Sequence, residues 1–210
     1  MTTSKGTRRA AVAALGLALA GMGGLATAAA ADDDATAGVD LSVTIEPLTP
    51  PGVLAFSVAA NEGVALTEDG SDDTARQFTA TLPTVTVSDS RTAEEIPAGA
   101  YWAVVGQASA FTADGLDPIG PEYLGWTPRL LSPSPTGLVE AGQPVSSVIE
   151  DGSGADAVGL EGQELLVSSY DSAAESGPWD VTADLALRVP LDTAAGEYHS
   201  VLTLSLFEAQ

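Results

Sequence analysis

Trp179-Asp180-Val181-Thr182-Ala183-Asp184-Leu185-Ala186-Leu187-Arg188-Val189-Pro190 decides the fold class. Every second residue from Trp179 to Val189 is apolar, and those between are mostly polar. A period of two is the mark of a strand with one buried face. Leu191-Asp192-Thr193-Ala194-Ala195-Gly196 follows, with the length of a loop between antiparallel neighbours. The chain then alternates again, with Tyr198, Leu202, Leu204 and Leu206 on one face and His199, Thr203 and Ser205 on the other. The two runs are expected to form a terminal hairpin. Val201 and Phe207 interrupt the polar face, which predicts cover on both sides for part of the second strand.

The same period recurs upstream. Val39-Asp40-Leu41-Ser42-Val43-Thr44-Ile45 alternates strictly and predicts a first strand, ended by Pro47 and Pro50-Pro51. A second strand is expected over 53–58, with a short edge piece at Val64-Ala65-Leu66. Residues 77–82 and 84–88 are β-branched and alternating, and Pro83 between them leaves open one bent strand or two. Residues 101–107 are apolar on both faces, which predicts a central strand. Glycine and proline fill 111–139 and leave room only for short strands at 123–126 and 129–131. Further strands are expected at 145–149 and 164–169. No helix-period segment or βαβ alternation follows the N-terminal leader. The prediction is an all-β chain, a single antiparallel β-sandwich domain of roughly ten short strands over residues 39–210.

The leader itself has the pattern of a signal peptide. Lys5, Arg8 and Arg9 precede an apolar run over 10–25, and Ala28-Ala29-Ala30-Ala31 supplies the small residues of a cleavage site. Cleavage is expected after Ala31. That leaves an acidic, small-residue stretch over 32–38 as a flexible N-terminus. Secretion is the expectation, with Sec and twin-arginine routes both open because of Arg8-Arg9. No transmembrane tail follows the fold, so retention at a surface is expected to be noncovalent.

Charge narrows the partners. Removing the leader leaves four basic residues, Arg76, Arg91, Arg129 and Arg188, against 29 acids, and the formal charge deepens from −22 to −25. Nucleic acid is excluded as a partner, since phosphate binding needs a basic footprint. The chain has 0 Cys, so it has no disulfide, zinc thiolate or thiol nucleophile. Composition is 45% apolar, enough to fold.

Catalytic patterns are weak. His199, the only histidine, falls on the polar face of its strand, and no Gly-x-Ser-x-Gly elbow accompanies it. Carboxylates are plentiful but sit mostly in Gly/Ser loops, where solvation is the default. Asp69-Gly70-Ser71-Asp72-Asp73 and Asp151-Gly152-Ser153-Gly154-Ala155-Asp156 offer oxygen ligands without EF-hand spacing. A structural calcium ion is therefore the one cofactor left open, and otherwise none is expected. Trp102 and Trp179 read as core anchors, whereas Trp126, in Leu124-Gly125-Trp126-Thr127-Pro128, reads as partly exposed.

Thr86-Val87-Ser88-Asp89-Ser90-Arg91, a spacer, then Tyr101-Trp102-Ala103-Val104 resemble the first half of a WxL domain, a surface domain of Gram-positive bacteria. That half shows a strand ending in Asp-x-Arg, then a Trp-x-Leu strand. Val189-Pro190, Ala195-Gly196, Tyr198, Leu202 and Leu206 are similar to its second half, which ends in Tyr-x-x-x-Leu-x-Trp-x-Leu. Val104 stands in place of the first Leu and Leu204 in place of the second Trp.

The resemblance implies a secreted all-β domain that binds peptidoglycan noncovalently and stays at the cell wall, with peptidoglycan or other surface proteins as partners. It makes Asp89, Arg91 and Trp102 binding candidates, and Trp126 joins them as an aromatic read as partly exposed. If tryptophans form the wall surface, only Trp102 keeps a matching place; if they are core, Leu204 refills it. Three readings follow: a non-enzymatic wall-associated module, a surface-fibre subunit assembled by strand pairing, and a secreted hydrolase with a carboxylate site. Many Gram-positive walls are anionic, so wall binding by this chain is expected to need divalent cations or to rise with salt.

Overall fold

Alternating apolar and β-branched residues place nearly every regular element in strands. This is the arrangement in a computed structural model, which describes residues 42–48, 50–59, 63–149, 157–175 and 177–210. The strands are β1 (Leu54–Val58), β2 (Thr67–Glu68), β3 (Ala75–Thr81), β4 (Val85–Asp89), β5 (Tyr101–Ala108), β6 (Leu124–Leu130), β7 (Val139–Ala141), β8 (Glu164–Ser169), β9 (Trp179–Pro190) and β10 (Leu202–Ala209). One 3₁₀ turn, Pro121–Tyr123, precedes β6. All pairings are antiparallel, and the ten strands form two sheets.

The stretch that announces the fold is also its centre. β9 pairs with β6 along one edge and with β3 and β4 along the other. All six alternating residues from Trp179 to Val189 are buried. β3 and β4 run past β9 as one bent strand. Their register slips by one residue at Pro83, where the Leu82 N–H donates to the Ala183 carbonyl at 2.8 Å. β1 and β2 complete this first sheet outside β4 and β3. The second sheet has the order β10-β5-β8-β7, with β5 internal as expected, its even-numbered residues buried and its other face half-buried to exposed.

Tryptophan and glycine fit the two sheets together. Trp102 on β5 meets Trp179 on β9, ring centroids 5.3 Å apart and tilted by 48°. Trp126 on β6 lies over Gly106 of β5, where a Cβ would stand 2.5 Å from the indole Cη2. The missing side chain at Gly106 is what lets the ring in.

Four expectations are corrected. β9 and β10 are not a hairpin: they lie in different sheets, because both edges of β9 are already taken and the returning chain must join β5 instead. The expected break within 123–131 is absent, and β6 runs unbroken through Pro128. Trp126 exchanges backbone hydrogen bonds with Val145 at 2.9 Å, so even-numbered residues of β6 face away from β9. Pro128 is one of them, and its missing N–H therefore costs the ladder nothing.

The strand expected over 145–149 reduces to that single Val145 bridge. The first expected strand lies partly outside the described residues. Its described part, 42–45, forms no strand, and Val43 and Ile45 stand exposed. The compact unit containing both sheets begins at Leu48, after this segment. An alternating segment needs a ladder partner to persist as a strand, and residues 42–45 pair with no strand among the described residues.

Candidate functional site

A cleft of about 620 Å³ opens where the ends of β3 and β9 meet the segment leading into β10. Its floor is apolar: Leu187 and Val189 from β9, with Phe111 and Ile119, which pair across a short bridge. Alternation puts Phe78 and Arg76 on the same side of β3 at its wall. The Arg76 guanidinium lies 5.1 Å from the Phe78 ring centroid, a cation–π distance. Arg76 also donates twice to Glu68, each at 2.9 Å, which lowers the Glu68 carboxyl to about 2.

The opposite wall is formed by 193–199. Tyr198 anchors it by donating its hydroxyl to the Ala194 carbonyl at 3.1 Å. His199 exchanges backbone hydrogen bonds with Thr112 at 2.9 Å, while its ring stands exposed 3.7 Å from a Glu197 oxygen. Polar side chains thus stay at the rim, and the only guanidinium there is already paired. An aromatic and aliphatic floor with a few polar groups at its edge is suited to a neutral, partly apolar ligand.

Asp89 and Arg91 belong to a second cluster. Arg91 forks onto Asp89, its Nε and a terminal nitrogen donating at 2.9 Å and 2.6 Å, and it reaches Glu208 of β10 at 2.7 Å. The Arg91 side chain is 10% exposed and that of Asp89 is 2% exposed. The cluster links the end of β4 in one sheet to the end of β10 in the other. The Arg91 hydrogen bonds hold the Asp89 carboxyl below the usual carboxylate range, and Asp89 with Glu208 pushes the guanidinium further up. These groups are spent on one another, and the cluster closes one end of the sandwich.

Trp102 and Trp126 are both buried and present no ring face to solvent. For Trp126 this corrects the expected partial exposure. Its strand faces the second sheet, and Gly106 gives it space there. The four binding candidates therefore do not converge on one surface, and the cleft uses none of them. Phe78, Phe111 and Tyr198 are not binding candidates from sequence, Tyr198 entering only through the resemblance, because they come from three separate segments. Only topology brings them together.

Every carboxylate whose ionisation is displaced among the described residues is displaced downward. Asp72 is lowered by hydrogen bonds from the Thr74 hydroxyl, from the Thr74 and Ala75 amides and from Arg188. Backbone amides of Thr92 and Gly52 lower Glu95, and the Ser134 and Thr136 hydroxyls lower Glu175. None is held protonated, as a general acid would have to be. The first acidic loop thus spends Asp72 on its own turn, and the second, 151–156, lies outside the described residues. Among the described residues no cluster of three metal-ligating side chains occurs, and no helix is long and apolar enough to cross a membrane. Comparison with protein-family models gives no match, and comparison with curated proteins gives no significant match.

Proposed function

We propose that this is an exported, non-enzymatic cell-surface protein of WxL-like kind that holds to the cell wall noncovalently. The observation that carries the reading is the cleft, where half-buried Phe78 and Tyr198 flank a buried apolar floor on a chain otherwise crowded with carboxylates. Like-charge repulsion keeps an anionic polymer away from such a chain, whereas a neutral glycan or an apolar peptide side chain meets no charge barrier at the cleft floor. The resemblance adds support, because its separated segments are neighbours in space. The Tyr101-Trp102 strand pairs directly with the terminal strand, and Arg91 of the Asp-x-Arg motif bridges to that strand at Glu208.

The test is co-sedimentation with purified peptidoglycan sacculi, with and without calcium. Saturable binding that weakens roughly tenfold in Tyr198→Ala, the loss of one aromatic contact of about 1.4 kcal/mol, is the expected result. Protein that stays in the supernatant under both conditions overturns the reading.

A further inference from the structure

We propose that β10 is a homotypic docking edge, on which a second copy of this chain adds its own β10 to make one continuous sheet. The inference does not rest on wall binding. Among the described residues β10 pairs only with β5, so its other edge carries a row of unpaired backbone groups. Among the described residues it is the longest unguarded edge. β1 has five residues behind Pro50 and Pro51, β2 has two, β7 has three, and β6 carries Pro128. β10 has eight residues in unbroken register with β5, and contains no Lys, Pro or bulge of the kind that protects free edges. Its outer face carries Thr203, Ser205, Phe207 and Ala209 and no charge, with Phe207 48% exposed, and Val201 just before the strand is 65% exposed.

Charge permits a second copy here, and the strand's self-complementary register favours it. On a chain of net charge −22, a copy can approach only where acids are sparse or neutralised. β10 has one acid, Glu208, and Arg91 already holds it at 2.7 Å.

The ladder fixes the register. The Ser109 N–H donates to the Val201 carbonyl at 2.9 Å, so odd-numbered residues of β10 turn their backbone groups toward β5. Residues 202, 204, 206 and 208 turn theirs outward. A two-fold pair can join only outward groups, which places even opposite even. The register that uses the whole strand puts the axis at Ser205. Leu202 then faces the second copy's Glu208, and Leu204 faces its Leu206. No like charges oppose. Leu202, Leu204 and Leu206, which pack on the core here, continue across the junction as one apolar layer. Such a contact is isologous and closes at the dimer.

The chain has no cysteine, which makes the register directly testable. Ser205 lies on the outer face at the axis, in a non-hydrogen-bonded pair with its own copy, where side chains are closest. The full chain carrying Ser205→Cys is expected to cross-link to a covalent dimer under mild oxidation. Thr203→Cys, which faces Phe207 of the other copy, is expected to stay monomeric in the same conditions. In sedimentation velocity at tens of micromolar the unmodified chain is expected to run as a dimer, and Ser205→Glu as a folded monomer with an unchanged circular-dichroism spectrum and a melting temperature that no longer depends on concentration. An unmodified chain that sediments as a monomer, or equal cross-linking at 203 and 205, overturns the proposal. No wall material enters these experiments, so their failure is distinct from failure of wall binding.

Discussion

Replacing Arg91 by Met tests whether the Asp-x-Arg pair is a structural clamp. The substitution keeps the aliphatic stem and removes the fork onto Asp89 and the bridge to Glu208. Asp89 is only 2% exposed, so its carboxylate loses its charge partner where water cannot replace it. Breaking a buried pair by removing one member costs about 3–5 kcal/mol. The low end applies, because the Arg91 amide still donates to Asp89 at 3.0 Å. The Glu208 contact, with that side chain 32% exposed, adds at most about 1 kcal/mol.

The expected loss at pH 7 is therefore roughly 3 kcal/mol, or about 6–12 °C in melting temperature for a domain of this size. Asp89→Asn with Arg91→Met should recover much of it, because the stranded charge is gone. Urea titration of the two single variants and the double variant closes the cycle, with a coupling of about 2 kcal/mol expected. A loss under about 1 kcal/mol in Arg91→Met, or strict additivity in the double variant, refutes the reasoning.

Three further outcomes are expected. Gly106→Ala drives a methyl into the buried Trp126 ring, 2.5 Å from Cη2, and should cost about 1–3 kcal/mol in urea unfolding. Trp102→Phe removes an indole N–H that is buried without a partner among the described residues, which offsets part of the lost volume. It should cost at most about 2 kcal/mol and leave sacculus binding unchanged, the reverse of Tyr198→Ala. On acidification, Glu68, Asp72 and Asp89 should withdraw stability in concert. Their folded values are depressed, so their contribution is complete above the unfolded carboxylate range near about 4 and is lost as pH falls through the lower folded values. Melting temperature should therefore drop between roughly pH 4 and pH 2, and Arg91→Met should flatten the part of that drop due to Asp89.

Local alternation made much of this fold legible. β9 is readable residue by residue because one face is buried along its whole length, and a period-two pattern then has no competing explanation. β5 was visible for another reason, since apolar residues at nearly every position mark an internal strand. What alternation cannot encode is the neighbour. The six-residue loop after Pro190 has hairpin length, yet β10 joins the other sheet, because the vacancy beside β9 is decided by β3, β4 and β6 from distant parts of the chain. The apolar Val201 and Phe207 announced cover on the outer face of β10, and the structure leaves both exposed at a free edge.

Proline misled in the same way at Pro128. A break is the correct prior for an internal strand and the wrong one where the nitrogen faces an open edge. The cleft was not legible as a site, since Phe78, Phe111 and Tyr198 share no motif and only Tyr198 entered the resemblance. The Asp89–Arg91 pair was visible as a motif, but its role depends on Glu208, more than a hundred residues away.

Wall attachment through the cleft is the central claim, and one measurement reaches it most directly. The full chain and Tyr198→Ala are titrated against peptidoglycan sacculi at low and high salt, with calcium and with chelator. The account predicts saturable binding by the unmodified chain, stronger with calcium or at high salt because the chain's own charge is then screened, and weakened roughly tenfold by the single substitution. Binding that ignores calcium, salt and Tyr198 alike, or no binding under any of these conditions, would contradict it.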